Sequence, residues 1–131
     1  KTEACETKVF LLDFPVFLYT FLRMKKGAVY MNEQKQDFFR WLDGVCAAGL
    51  PETIQAVNFN LYEDEHDAWS VEMIGAPSFE EDDDDWACEE VFSTRETPFV
   101  FCEQAGWEEI QARFADYILQ YLQSLEIIIS L

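Results

Sequence analysis

The amino-acid sequence predicts an α+β domain: an antiparallel sheet with a central hairpin, about 56–62 and 68–74, packed by three helices at about 14–25, 32–48 and 107–125. Three observations predict it. Two neighbouring runs alternate apolar and polar residues with the period of a strand. Three other segments carry apolar residues at the three- and four-residue spacing of a helix. The 131 residues, half of them hydrophobic and 16% aromatic, supply enough apolar surface for one core, so a single domain over 1–131 is expected and disorder is not.

The first helix is read from Pro15, suited to a first turn, and from Phe14, Phe17, Leu18, Phe21 and Leu22 at helical spacing. Arg23, Lys25 and Lys26 fall at its end, where cations favour the helix dipole, and Gly27 stops it. The whole apolar stretch from Val9 to Leu22 is too short to cross a bilayer, is interrupted by Asp13 and Pro15, and lacks a signal-peptide cleavage pattern. The second helix starts on Asn32 as N-cap, buries a stripe of Phe38, Trp41, Leu42 and Val45 with Cys46 beside it, and ends at Gly49 and Pro51.

The hairpin follows. Val57, Phe59 and Leu61 lie opposite Asn58, Asn60 and Tyr62 on the first strand; Trp69, Val71 and Met73 lie opposite Ser70, Glu72 and Ile74 on the second. One face is therefore expected to be wet. The polar connection Glu63–Asp67 forms the turn, and Gly75 and Pro77 close the second strand. Residues 80–85, EEDDDD, cannot pack in a core. A short helix over Trp86–Phe92 and a short strand over Phe99–Cys102 are expected after them. In the last helix Trp107, Ile110, Phe114, Ile118, Tyr121, Leu122 and Leu125 form one face, with Glu108 and Glu109 in the first turn.

The formal charge is −17, and it is unevenly placed. Residues 1–54 hold seven Lys or Arg against seven Asp or Glu; residues 55–131 hold only Arg95 and Arg113 against nineteen acids. Such a surface repels phosphates and anionic lipid heads, so neither direct nucleic-acid binding nor membrane binding is expected, and a basic protein partner is. Solubility alone is the competing reading of the charge.

The chemistry-bearing motifs are few. Cys5, Cys46, Cys88 and Cys102 show no CxxC spacing and read as free thiols in a reducing cytoplasm. The one histidine, His66, sits in the hairpin turn. No glycine-rich phosphate loop is present, and EEDDDDWACEE lacks the ligand alternation and glycine of an EF-hand, so no cofactor, metal site or catalytic residue is assigned. What remains is an aromatic set among acids. Trp86 either anchors a basic partner while carboxylates steer its approach, or tucks into the core. The candidate partner-binding surface is Glu63, Asp64, Glu65, Asp67, Glu80, Glu81, Asp82, Asp83, Asp84, Asp85, Trp86, Glu89 and Glu90.

The stretch from Asn58 to about Leu125 contains FNLYEDEHDAWSVEMIG, then DDDDWACEEVFSTRETPF, then WEEIQARFADYILQYL. In that order these segments resemble small uncharacterised bacterial proteins, similar in size and charge to immunity proteins that neutralise toxin domains. The resemblance covers roughly half of the chain and brings no site residues with it. It implies an acidic inhibitor, cytoplasmic and without enzymatic activity, that occludes a basic toxin or nuclease. The alternatives are a DNA-mimic inhibitor of a nucleic-acid enzyme, a metal-dependent enzyme of unrecognised type, or a structural subunit of a larger complex.

Overall fold

A computed structural model of the protein describes the backbone of residues 3–11 and, in full, residues 32–79 and 89–125. The chain order is β1 (Glu3–Leu11), α1 (Glu33–Ala47), β2 (Ala56–Glu63), β3 (Ala68–Ala76), β4 (Phe92–Ser93), β5 (Phe99–Cys102) and α2 (Trp107–Ser124). All pairings are antiparallel, with β1 beside β2, β2 beside β3, and both β4 and β5 on the far edge of β3. The fold is α+β: an antiparallel sheet with two helices among the described residues. The expected helix over 14–25 and the acidic run 80–85 lie outside them.

Each element has a local cause. Asn32 holds extended backbone and its side chain accepts from the Lys35 N–H at 2.8 Å, which starts α1. Phe38, Leu42 and Cys46, one turn apart, are the residues it buries. The helix ends at Gly49, whose φ of +98° suits a residue without Cβ. α2 begins on Gly106 without a side-chain cap; Glu108 and Glu109 favour its N-terminal dipole instead. It buries Ile110, Phe114, Tyr117, Ile118, Tyr121 and Leu122.

Both helices cover the sheet face that carries Val57, Phe59, Leu61, Trp69, Val71 and Met73. The core there is largely aromatic. Phe114 stacks on Phe101 at 4.9 Å and meets Phe38 edge-on at 5.1 Å; Trp69 stacks on Phe101 and meets Trp107 edge-on at 5.5 Å. Each such ring contact adds about 0.5–1.5 kcal/mol beyond area burial. Trp69 is fully buried, and its indole N–H donates to the Glu103 carbonyl at 2.8 Å, so no polar atom is stranded. Trp41 is only half-buried and donates to the Thr97 carbonyl at 2.9 Å, tying α1 to the loop between β4 and β5.

Three expectations are corrected. The opposite sheet face is not wet, because Asn58 and Glu72 are each only 3% exposed and Ile74 is buried. Glu89 to Val91 are not helical, and Phe92 belongs to β4: the Val91 N–H donates to the Gly75 carbonyl, and Phe92 pairs with Gly75. Residues 86–88 lie outside the description. Gly75 does not end the second strand but sits inside β3 with Val57 and Phe92 on either side, because a Cβ there would stand 2.6 Å from Ile54 Cδ1.

β1 has no clear trace in the sequence. A register shift between Glu6 and Lys8 places Cys5 opposite Leu61 but Lys8 opposite Phe59. The two-residue period therefore changes phase in mid-strand.

Candidate functional site

Of the described acids of the predicted surface, Glu63, Asp64, Glu65 and Asp67 collect at one end of β2 and β3. Glu63 closes β2, while Asp64, Glu65 and Asp67 lie in the turn, with Glu65 and Asp67 exposed. His66 and Asp67 have φ of +61° and +60°, the left-handed pair that a type I′ turn requires, and the Ala68 N–H donates to the Glu65 carbonyl to close it. The Glu103 N–H donates to the Asp67 carbonyl at 2.9 Å, which adds a further carboxylate beside the turn.

Glu103 is itself tied inward. Arg113 donates to it at 2.6 Å and to Glu109 at 2.9 Å, and Gln34 donates to the same Glu103 oxygen at 3.0 Å. The hydrogen bond from Arg113, above all, holds the Glu103 carboxyl below the usual carboxylate range.

Glu89 and Glu90 stand before β4, but they do not share one role. Glu89 is exposed, whereas Glu90 grips Arg95 with both oxygens, at 2.8 and 3.1 Å. Glu80, Glu81, Asp82, Asp83, Asp84, Asp85 and Trp86 lie outside the described residues.

The second sheet face holds a polar array that the sequence reading assigned to solvent. Glu72 Oε1 accepts from the Tyr62 hydroxyl at 2.8 Å and from Asn60 Nδ2 at 3.3 Å, and Glu72 Oε2 accepts from Arg95 Nε at 2.9 Å. Asn58 Nδ2 donates in turn to Asn60 Oδ1 at 2.8 Å. A carboxylate can only accept, so it orients the Asn60 amide, and that amide orients the Asn58 amide. The consequence is a buried Asn58 Oδ1 with no partner among the described residues, at a cost of about 1–3 kcal/mol.

Beside this array an open cleft of about 380 Å³ is lined by Tyr62, Asp64, Ser70, Glu72, Arg95 and Pro98. Asp64 belongs both to the cleft and to the acidic turn. Arg95 reaches the cleft from the loop between β4 and β5, which is pinned where Thr94 Oγ1 accepts from the Met73 N–H at 2.8 Å and the Thr94 N–H donates to the Met73 carbonyl.

Burial, then the hydrogen bond and charge of Glu72, push the Tyr62 phenol up to about 12, so it remains a neutral donor. The bonds to Glu90, then the charge of Glu72, hold Arg95 all the more firmly as a cation. Burial pushes the Cys46 thiol up to about 12, which makes it inert, and Cys102 is an exposed free thiol. Among the described residues no three His, Cys, Asp or Glu side chains converge as metal ligands, and no helix is long and apolar enough to cross a membrane.

Tyr62, Ser70, Glu72, Arg95 and Pro98 were missed as site residues. One signal pointed to them: Asn58, Asn60, Tyr62 and Glu72 share a single strand face, and Arg95 is the one cation between residues 55 and 112. Comparison with known proteins gives no match to any protein-family model, curated protein or solved structure.

Proposed function

We propose that this chain is a cytoplasmic, acidic protein-binding inhibitor, an immunity-type protein of bacterial kind that occludes a basic toxin or nuclease domain. The observation that carries the reading is the placement of charge. Nineteen acids against two arginines fall in residues 55–131, and those two arginines are already engaged, Arg95 by Glu72 and Glu90, Arg113 by Glu103 and Glu109. Neither arginine is left over for the remaining acids of this half, whose negative field complements a basic partner. A field of this kind speeds encounter with a basic surface by roughly 10- to 10³-fold and repels nucleic acid.

The proposed contact surface is the turn acids Glu63, Asp64, Glu65 and Asp67 together with the run from Glu80 to Glu90, with Trp86 as its aromatic anchor. The test is inhibition of a panel of basic bacterial nuclease-toxin domains by stoichiometric amounts of the protein. The expected result is inhibition of at least one of them, weakened by salt and by changing Asp82, Asp83, Asp84 and Asp85 together to Asn. Inhibition indifferent to both, or absent across the panel, contradicts the reading.

A further inference from the structure

We infer that Glu72 and Glu90, with Tyr62 and Asn60 behind them, form a guanidinium receptor on the second face of the sheet, occupied in the free chain by Arg95 as a displaceable resident. The naming of its outside ligand, an arginine of the basic partner, rests on the inhibitor reading; the receptor itself does not.

The receptor is preformed by the sheet. The Glu72 side chain is 4% exposed, and both of its oxygens are fixed from residues of β2 and from the loop above. A carboxylate this deeply buried requires a cation, since an unpaired buried charge is strongly unfavourable. No residue of β2 or β3 supplies one. The cation comes from Arg95, outside the sheet, on the loop between β4 and β5, and the Arg95 side chain is still 57% exposed.

The contact is specific in shape as well as charge. Glu90 takes two parallel N–H groups of the planar fork while Glu72 takes the Nε–H, an arrangement an ammonium group cannot reproduce. Room for exchange lies alongside. The cleft of about 380 Å³ opens against Arg95 and is walled by Asp64 and the Ser70 hydroxyl, so a second guanidinium can reach the carboxylates without movement of the sheet. The cleft places the Asp64 and Glu72 carboxylates beside Arg95, and Glu90 holds the same guanidinium, so the site is built for a cation and not for an anion.

The experiment vacates the receptor. Arg95→Ala is titrated with methylguanidinium chloride, and with methylammonium chloride at matched ionic strength, while backbone amide shifts of β2 and β3 and the Tm are followed. The receptor predicts a lowered Tm for Arg95→Ala and saturable methylguanidinium binding that restores it. It also predicts affinity for methylguanidinium about tenfold above that for methylammonium, and loss of the effect in Arg95→Ala/Glu72→Gln. An unchanged Tm, equal response to the two cations, or rescue that survives Glu72→Gln overturns it. Arg95→Lys, which keeps the charge against Glu72, serves in the same titration where the alanine variant does not fold. Because the probe is a small cation, failure here leaves the nuclease test standing, and failure of the nuclease test leaves the receptor standing.

Discussion

The two faces of the sheet are held by opposite means. On the helix-covered face Phe38, Trp69, Phe101 and Phe114 pack ring against ring, and the polar groups brought in are met singly, the Trp69 indole N–H by the Glu103 carbonyl and the Tyr121 hydroxyl by Asp43. On the other face Asn58, Asn60, Tyr62, Glu72 and Arg95 pair with one another beside an open cleft. The first face is tolerant in composition and intolerant of lost volume. The second is tolerant of small losses of volume and intolerant of a missing partner, because Asn60, Tyr62 and Arg95 all donate to one carboxylate, Glu72. A face of the second kind specifies a ligand shape, which an apolar face does not.

Truncation of the first face is expected to have the largest effect. Phe114→Ala removes a fully buried ring that touches Phe38, Phe99, Phe101 and Tyr117, and should cost about 3–5 kcal/mol in urea unfolding. Gly75→Ala comes next. Its new Cβ meets Ile54, which is 1% exposed and has nowhere to go, at a cost of about 1–3 kcal/mol. Adding Ile54→Val, which removes the offending Cδ1, should recover part of that loss, and a strictly additive double variant would show that the clash is not its cause.

The second face is probed more gently. Tyr62→Phe deletes one of the three donors to Glu72 and should cost about 1–2 kcal/mol. The deficit has a pH signature. The phenol is raised in the folded chain from 10 to about 12, so its contribution is complete below pH 10 and is lost as pH rises from 10 towards 12. The stability gap between wild type and Tyr62→Phe should therefore close over that window; a gap that is constant with pH would mean that the hydroxyl does not act through Glu72.

The smallest effect is a gain. Asp67→Gly relieves a left-handed aspartate at the turn and should stabilise by about 0.5–1 kcal/mol, read as a higher urea midpoint at unchanged slope.

The sequence was most legible where one period runs undisturbed. The α2 stripe from Ile110 to Leu122, the Asn32 cap and the alternating runs within β2 and β3 were all readable from spacing. It was least legible where pairing overrides local pattern. A shift at one residue hides β1. Glu72 and Asn58 read as solvent-facing because alternation reports which face a residue takes, and not what covers that face. The strand at Phe92 is invisible locally, since it is defined by Gly75 on another element. Of the candidate surface, the turn acids were found by composition. The cleft was not, because it joins Tyr62, Glu72 and Arg95 across three elements.

The central claim is that the acids at the end of β2 and β3 serve recognition and not solubility alone. Its most direct test is the association rate with a nuclease-toxin domain that the protein inhibits, measured by stopped flow at low and high salt. Wild type is compared with a variant in which Glu63, Asp64, Glu65 and Asp67 are changed together to the corresponding amides. The account predicts a rate that falls steeply with salt in the wild type, and a variant that is slower by roughly tenfold or more at low salt with a flattened salt dependence. Identical rates and identical salt dependence for the two proteins would contradict it.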